Sequence, residues 1–156
     1  RRIGPPPGMD GHRTVNGLKE LYRETIKRHA ADPVGYRRSI EATHRCEGHN
    51  AQCGDRVDIR LRLRDGHIED IAFEGEACAI CMASASLMCE NLAGRPIERL
   101  VELKSSLGSA LESQDKAGDA GPLSPLLGVK PYPSRIQCAT LPWETAEKAL
   151  ERTNGP

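Results

Sequence analysis

Val57, Ile59, Leu61 and Leu63 alternate without a break with Asp58, Arg60, Arg62 and Arg64, and Asp65-Gly66 follows at once. Strict period-two alternation puts the apolar side chains on one face of a strand and the charges on the other. Asp-Gly suits a type I′ turn, in which both central residues need positive φ. The chain must therefore double back, and residues 67–74 are the expected partner strand. Residues 38–45 are a candidate for an earlier strand, with weaker alternation. Gly75 is expected to end the returning strand. A short antiparallel meander with one buried face needs helices to cover it.

Helical spacing supplies them. Leu18, Leu21, Tyr22, Thr25, Ile26 and His29 recur on one face of residues 16–29, and Asp32-Pro33 ends that helix. Residues 79–93 form a helix dense in Ala, Ser, Met and Leu, with Gly94 placed to cap it. Residues 96–103 and 105–112 read as two further short helices, and 114–125 as a polar loop with Gly and Pro. A last helix runs from near Thr140 to about Arg152, with Trp143, Ala146 and Leu150 facing inward. The expected class is α+β, an antiparallel sheet flanked by helices.

The chain's 156 residues suit one domain. Residues 1–15, rich in Gly, Pro and charge, are expected as a disordered arm, with Met9 a candidate native start; 16–152 form the domain and 153–156 a tail. Hydrophobic residues make up 38% of the chain and aromatics 3%, so the core is aliphatic. Basic and acidic residues balance at 22 each, which leaves no global field to draw nucleic acid or an anionic membrane. No stretch approaches the roughly 18 apolar residues of a membrane span. Arg1-Arg2 is followed by Gly4 and three prolines, with no hydrophobic stretch of a signal peptide. A cytoplasmic protein is the expectation.

A reducing compartment disfavours a disulfide framework, so the six cysteines point to metal ligation or thiol chemistry. Cys53-Gly54-Asp55 lies between the first two strand candidates, where the glycine bend aims a thiol and a carboxylate at one point. Cys78 stands between a strand and a helix, where backbone N–H groups stabilise a thiolate. Cys138 precedes a helix, and Arg135 lies three residues before it. If these turns converge at one end of the sheet, they make a tetrahedral site of three thiolates and a carboxylate. If they do not, they are three unrelated solvent-facing thiols. Cys78 and Cys81 have the spacing of a redox pair but lack the flanking Trp and Pro of thioredoxin-type sites. Cys81 and Cys89 are expected to pack within the helix. Cys46, His49 and Cys53 resemble part of a local zinc knuckle, with His44 or Asp55 as a fourth ligand.

Three segments together resemble the IscU/NifU/SufU family of iron–sulfur cluster assembly proteins. LKELYRETIKRHAADP resembles the family's opening helix, with Ala30 where a tyrosine usually stands. CGDRVDIRLRLRDGHIEDIAFEGEACAICMASAS resembles its central block almost position for position. GVKPYPSRIQCATLPW resembles the third-cysteine segment of the SufU branch. Gln137 stands where the IscU branch has histidine, and residues 106–127 look like the insertion typical of SufU.

The resemblance implies a three-stranded antiparallel sheet flanked by helices. It also implies Cys53, Asp55, Cys78 and Cys138 as ligands of a 2Fe–2S cluster or of one Zn2+, with Arg135 in support. The first functional expectation is a scaffold that assembles a 2Fe–2S cluster and transfers it to apo iron–sulfur proteins or a carrier. The alternative is a zinc-dependent sulfur acceptor that takes persulfide sulfur from a cysteine desulfurase onto Cys53. A third is a structural-zinc interaction module, against which Asp55 counts, since closed structural sites are mostly Cys and His.

Overall fold

The computed structural model describes residues 10–114 and 119–152, with side chains from residue 17 onward. In chain order come α1 (Asp10–Ala31), β1 (His44–Asn50), β2 (Asp55–Arg64), β3 (His67–Glu76) and α2 (Ala79–Leu92). There follow β4 (Arg95–Pro96), α3 (Ile97–Glu112), a 3₁₀ helix (Gly121–Val129) and α4 (Pro133–Ala149). The class is α+β, as expected. The antiparallel sheet has the order β1-β2-β3-β4, four strands rather than three, because the two-residue β4 pairs Ile68 with Arg95 beyond α2.

The hairpin forms as the alternation requires. Asp65 and Gly66 take φ of 51° and 76°, the signature of a type I′ turn. Val57, Ile59 and Leu61 are fully buried on the inner face, with Ile71 and Phe73 of β3 beside them. The outer face carries ion pairs, Arg45 and Arg60 with Asp58, Arg60 with Glu74 and Arg62 with Glu69.

Several expectations are corrected. β1 spans His44–Asn50 rather than 38–45, pairing in register with residues 55–61 of β2. The preceding segment instead crosses to β3, where Arg37 N–H donates to the Phe73 carbonyl at 2.7 Å and Arg38 pairs with Asp70. Gly75 does not end β3 but lies inside it, at φ 143°, where a Cβ would meet the Arg56 carbonyl oxygen at 2.0 Å. Only glycine permits that approach of two strands. Residues 97–112 form one helix, α3, because Leu100, Leu103, Leu107 and Leu111 hold one buried stripe across the expected break. The stretch expected as a polar loop carries part of the 3₁₀ helix, which buries Leu123, Leu126 and Val129.

α1 begins at Asp10, so residues 10–15 are helical rather than irregular; residues 1–9 and 153–156 lie outside the described residues. Its inward face is Tyr22, Thr25, Ile26 and His29, while Leu18 and Leu21 are exposed. α4 starts at Pro133, seven residues ahead of the expected start at Thr140. Proline at the first helical position has the right φ and needs no N–H partner.

Trp143 is fully buried among the helices. Its indole N–H donates to Ser84 Oγ at 3.1 Å, and Ser84 O–H donates to the Ala139 carbonyl at 2.5 Å. This buried pair of bonds joins α2 to α4, the helices that carry Cys78 and Cys138. His29 anchors α1 in a similar way. Ser86 Oγ accepts the Val34 N–H at 2.7 Å and lies 2.7 Å from His29 Nδ1. The other ring nitrogen, Nε2, lies 3.7 Å from Glu90.

Candidate metal centre

The Cys53 loop, the N-terminus of α2 with Cys78, and Cys138 of α4 meet at the end of the sheet where β1 runs into β2. Gly54, at φ 73°, bends the loop so that Cys53 and Asp55 face the same point. Cys53 Sγ lies 3.3 Å from Cys138 Sγ, although 85 residues separate them. The ligand atoms of Cys53, Asp55 and Cys138 lie within 4.8 Å of one another. Cys78 joins through Asp55: its Sγ is 3.9 Å from Oδ2, and its backbone N–H donates to Oδ1 at 2.8 Å.

Cys78 caps α2, where unpaired N–H groups favour negative charge. The Asp55 carboxylate therefore touches both the positive end of a helix and a candidate ligand thiol. Cys138 is fully buried within α4, not ahead of a helix as expected from sequence. Burial pushes its thiol well above the ordinary range, and donation toward Cys53, Asp55 and Cys78 adds to the shift. A site that crowds thiols and a carboxylate in this way is suited to a cation, whose binding releases thiol protons.

Cys53, Asp55 and Cys138 are spaced for one ion, while the Cys78 thiol stands against Asp55 at the edge of that 4.8 Å cluster. Donors of a tetrahedral zinc, at about 2.3 Å for sulfur and 2.0 Å for oxygen, stand about 3.5–3.8 Å apart. The Cys53–Cys138 and Asp55–Cys78 separations, 3.3 and 3.9 Å, lie within about half an ångström of that range. Arg135 is exposed on the first turns of α4, and its guanidinium is held further toward the charged form by hydrogen bonding with Cys138 and by Cys78 and Cys53 nearby. Gln137 is exposed, so the residue before Cys138 stays outside the cluster.

The other cysteines stand apart. Cys81 is fully buried in α2, and desolvation lifts its thiol far above the ordinary range, which removes the nucleophilic partner that a redox pair needs. Burial pushes Cys89 up to about 12. The zinc-knuckle arrangement does not form. Cys46 faces the core from β1, while His49, three residues on, points outward to Glu47. Period two puts those side chains on opposite faces.

Asn50 was not among the expected site residues. It is buried at the end of β1, and its amide donates to Asp55 Oδ2 at 3.5 Å and to Cys138 Sγ at 3.7 Å. Its own Oδ1 accepts the Gln52 N–H at 3.3 Å, which shapes the Cys53 loop. The signal available in the sequence was its parity with Cys46, since both lie on the inward face of β1.

An α+β fold with a sheet end that gathers three thiols and a carboxylate defines a class of small thiolate-site proteins. The chain belongs to the family described as the NifU-like N terminal domain, which its residues 21–152 match. It is 34% identical over 140 residues to the zinc-dependent sulfurtransferase SufU of Bacillus subtilis, covering 88% of this chain and 95% of that one. It is also 34% identical over 141 residues to the iron-sulfur cluster assembly scaffold protein IscU of Thermotoga maritima, covering 89% and 99%. Among solved structures, the SUF-system scaffold protein of Fervidobacterium islandicum superposes with a TM-score of 0.72 at 31% identity, over 81% of this chain and 94% of that one. A NifU-like N-terminal domain from Brucella abortus, 23% identical over 86% of this chain and 94% of that one, shares the fold with a TM-score of 0.76.

Proposed function

We propose that this protein acts in iron–sulfur cluster assembly as a sulfur acceptor, holding one zinc on Cys53, Asp55, Cys78 and Cys138. The observation that carries this reading is the closeness of the donors, with two thiols 3.3 Å apart and a carboxylate beside them. That spacing puts two thiols and a carboxylate within reach of a single tetrahedral ion. Bound zinc lowers the pKa of a thiol without redox chemistry of its own. The name of the Bacillus subtilis relative, a zinc-dependent sulfurtransferase, supports the same reading.

Cys53 is the acceptor on this reading. It is half-buried on a loop, whereas Cys138 is fully buried in a helix. Its thiolate attacks the outer sulfur of a persulfide carried by a cysteine desulfurase. A sulfur–sulfur bond forms to Cys53, the one on the desulfurase breaks, and the desulfurase cysteine leaves as a thiolate. The sulfane sulfur moves without net oxidation or reduction, and a carrier or an apo iron–sulfur protein receives it downstream.

A second reading, the 2Fe–2S scaffold, is favoured by the half-buried positions of Cys53 and Cys78 and by the name of the Thermotoga maritima relative. Iron and sulfide are then cargo on the same soft thiolates. Asp55 is the weak oxygen ligand that lets the cluster leave.

Metal and acid-labile sulfide per chain, measured after purification without oxygen or chelators, test both. About one zinc and no sulfide is the expected result for a single tetrahedral site. Iron with matching sulfide would replace the first reading by the second. Neither, in a folded sample, would overturn both.

A further inference from the structure

A groove of about 780 Å³ runs between α1, the N-terminus of α2, the 3₁₀ helix and the start of α4, and Cys78 lies in its wall. Lys19, Arg23 and Lys27 line it from α1 at four-residue spacing, so one side of that helix offers a basic ladder. Arg135 stands on the α4 side. Tyr22 and Ile26 of α1 and Ile80 of α2 supply apolar surface between them. Tyr132, 59% exposed, projects at the far rim. Among the described residues no acidic side chain lines the groove. Glu20 and Glu24 pair with Arg23 and Lys27 from outside it, through contacts that leave the basic groups mostly exposed.

The chain as a whole is neutral, so this concentration of positive charge is local. A basic wall over an apolar floor complements a segment that carries both acidic and apolar side chains. We infer that the groove docks an acidic, apolar-bearing segment of the cysteine desulfurase and guides the persulfide-bearing cysteine toward the thiols beside Cys78. This rests on the sulfur-acceptor reading above and adds the surface and the chemistry of the contact. Charge on such a wall steers encounter and sets salt dependence more than it sets the chemistry at the thiols.

The test is a triple variant, Lys19→Gln/Arg23→Gln/Lys27→Gln, which removes the ladder without placing new acids beside Glu20 and Glu24. Its affinity for the cysteine desulfurase of the same organism is measured by calorimetry at low and high sodium chloride. Zinc content, circular dichroism and uptake of sulfane sulfur from glutathione persulfide are measured alongside. The expected result is binding weakened at least tenfold at low salt, with a flatter salt dependence and the other three quantities unchanged. A second variant, Tyr132→Ser, at an exposed position, is expected to weaken binding severalfold without altering the salt dependence.

Unchanged desulfurase affinity in both variants would overturn the proposal while leaving the sulfur-acceptor reading intact. A wild-type protein that takes no sulfur from the desulfurase would remove that reading and the groove's role together. Unchanged desulfurase affinity with loss of self-association in sedimentation would assign the groove to a second copy of this chain, which also overturns the proposal.

Discussion

The Asp55 carboxylate accepts the backbone N–H of Cys78 at 2.8 Å through one oxygen and faces the Cys78 thiol at 3.9 Å with the other. A single side chain thus ties the start of β2 to the N-terminus of α2 and stands among the candidate ligands. Its removal has two consequences with separate readouts. Asp55→Ala is expected to cut zinc affinity by more than about 10–100-fold, the scale of losing an outer-shell partner alone. In the scaffold reading the same variant retains a reconstituted cluster longer. Equal transfer rates to an apo-ferredoxin for wild type and variant would exclude Asp55 as the labile ligand.

Cys53→Ala is expected to abolish stimulation of the desulfurase while leaving the melting temperature of the metal-free protein within a few degrees, since the side chain is only half-buried. Undiminished stimulation would remove Cys53 from the transfer step.

Asn50 holds both Asp55 and Cys138, so Asn50→Ala is expected to weaken metal binding by about 10–100-fold. Competition with a chromophoric chelator gives the affinity. The absorption of the cobalt-substituted protein reports whether the tetrahedral set is distorted. Identical spectra and affinities would reduce Asn50 to a packing residue of β1.

Ser84→Ala leaves the Trp143 indole N–H buried without its partner and is expected to cost about 1–3 kcal/mol. Trp143 is the chain's single tryptophan, so its fluorescence follows urea unfolding directly. A loss below about 0.5 kcal/mol, the scale of a neutral surface change, would show that the helices relax around the missing hydroxyl.

His29 makes stability depend on pH. Burial, the largest influence, lowers its pKa below the ordinary 6.5; Glu90 opposes the shift and Arg28 adds to it. The unfolded chain then binds more protons than the folded one just below that value, so stability rises with pH in that window. Its contribution is complete above pH 6.5 and is lost as pH falls from there toward the folded-state pKa. Denaturant midpoints from pH 7.5 down to 5 should decline for wild type, and His29→Gln should remove that part of the slope. Parallel curves for the two proteins would contradict it.

Local pattern already contained the hairpin, because period-two alternation and the positive-φ demand of Asp65-Gly66 act between neighbours in the chain. The same holds for α2 and for the conformation of the Cys53-Gly54-Asp55 loop. Where sequence reading went astray, a distant partner decided. β1 starts at His44 because β2 offers it a register, and Gly75 continues a strand because Arg56 lies against it. The 3₁₀ helix is buried because α1 and α3 pack on it.

The candidate site divides in the same way. Residue type and turn position singled out Cys53, Asp55 and Cys78 as candidates, whereas Cys138, expected ahead of a helix, lies within α4. The approach of these residues depends on α4 packing across β1 and β2. The parity of Asn50 with Cys46 marks it as inward-facing, but its bond to Cys138 and the basic groove depend on side chains from segments far apart along the chain. Backbone preference and amphipathic period are properties of a few adjacent residues and can be read from them. Distances between thiols 85 residues apart are set by how the helices and the sheet fill one core, and only the folded chain determines those.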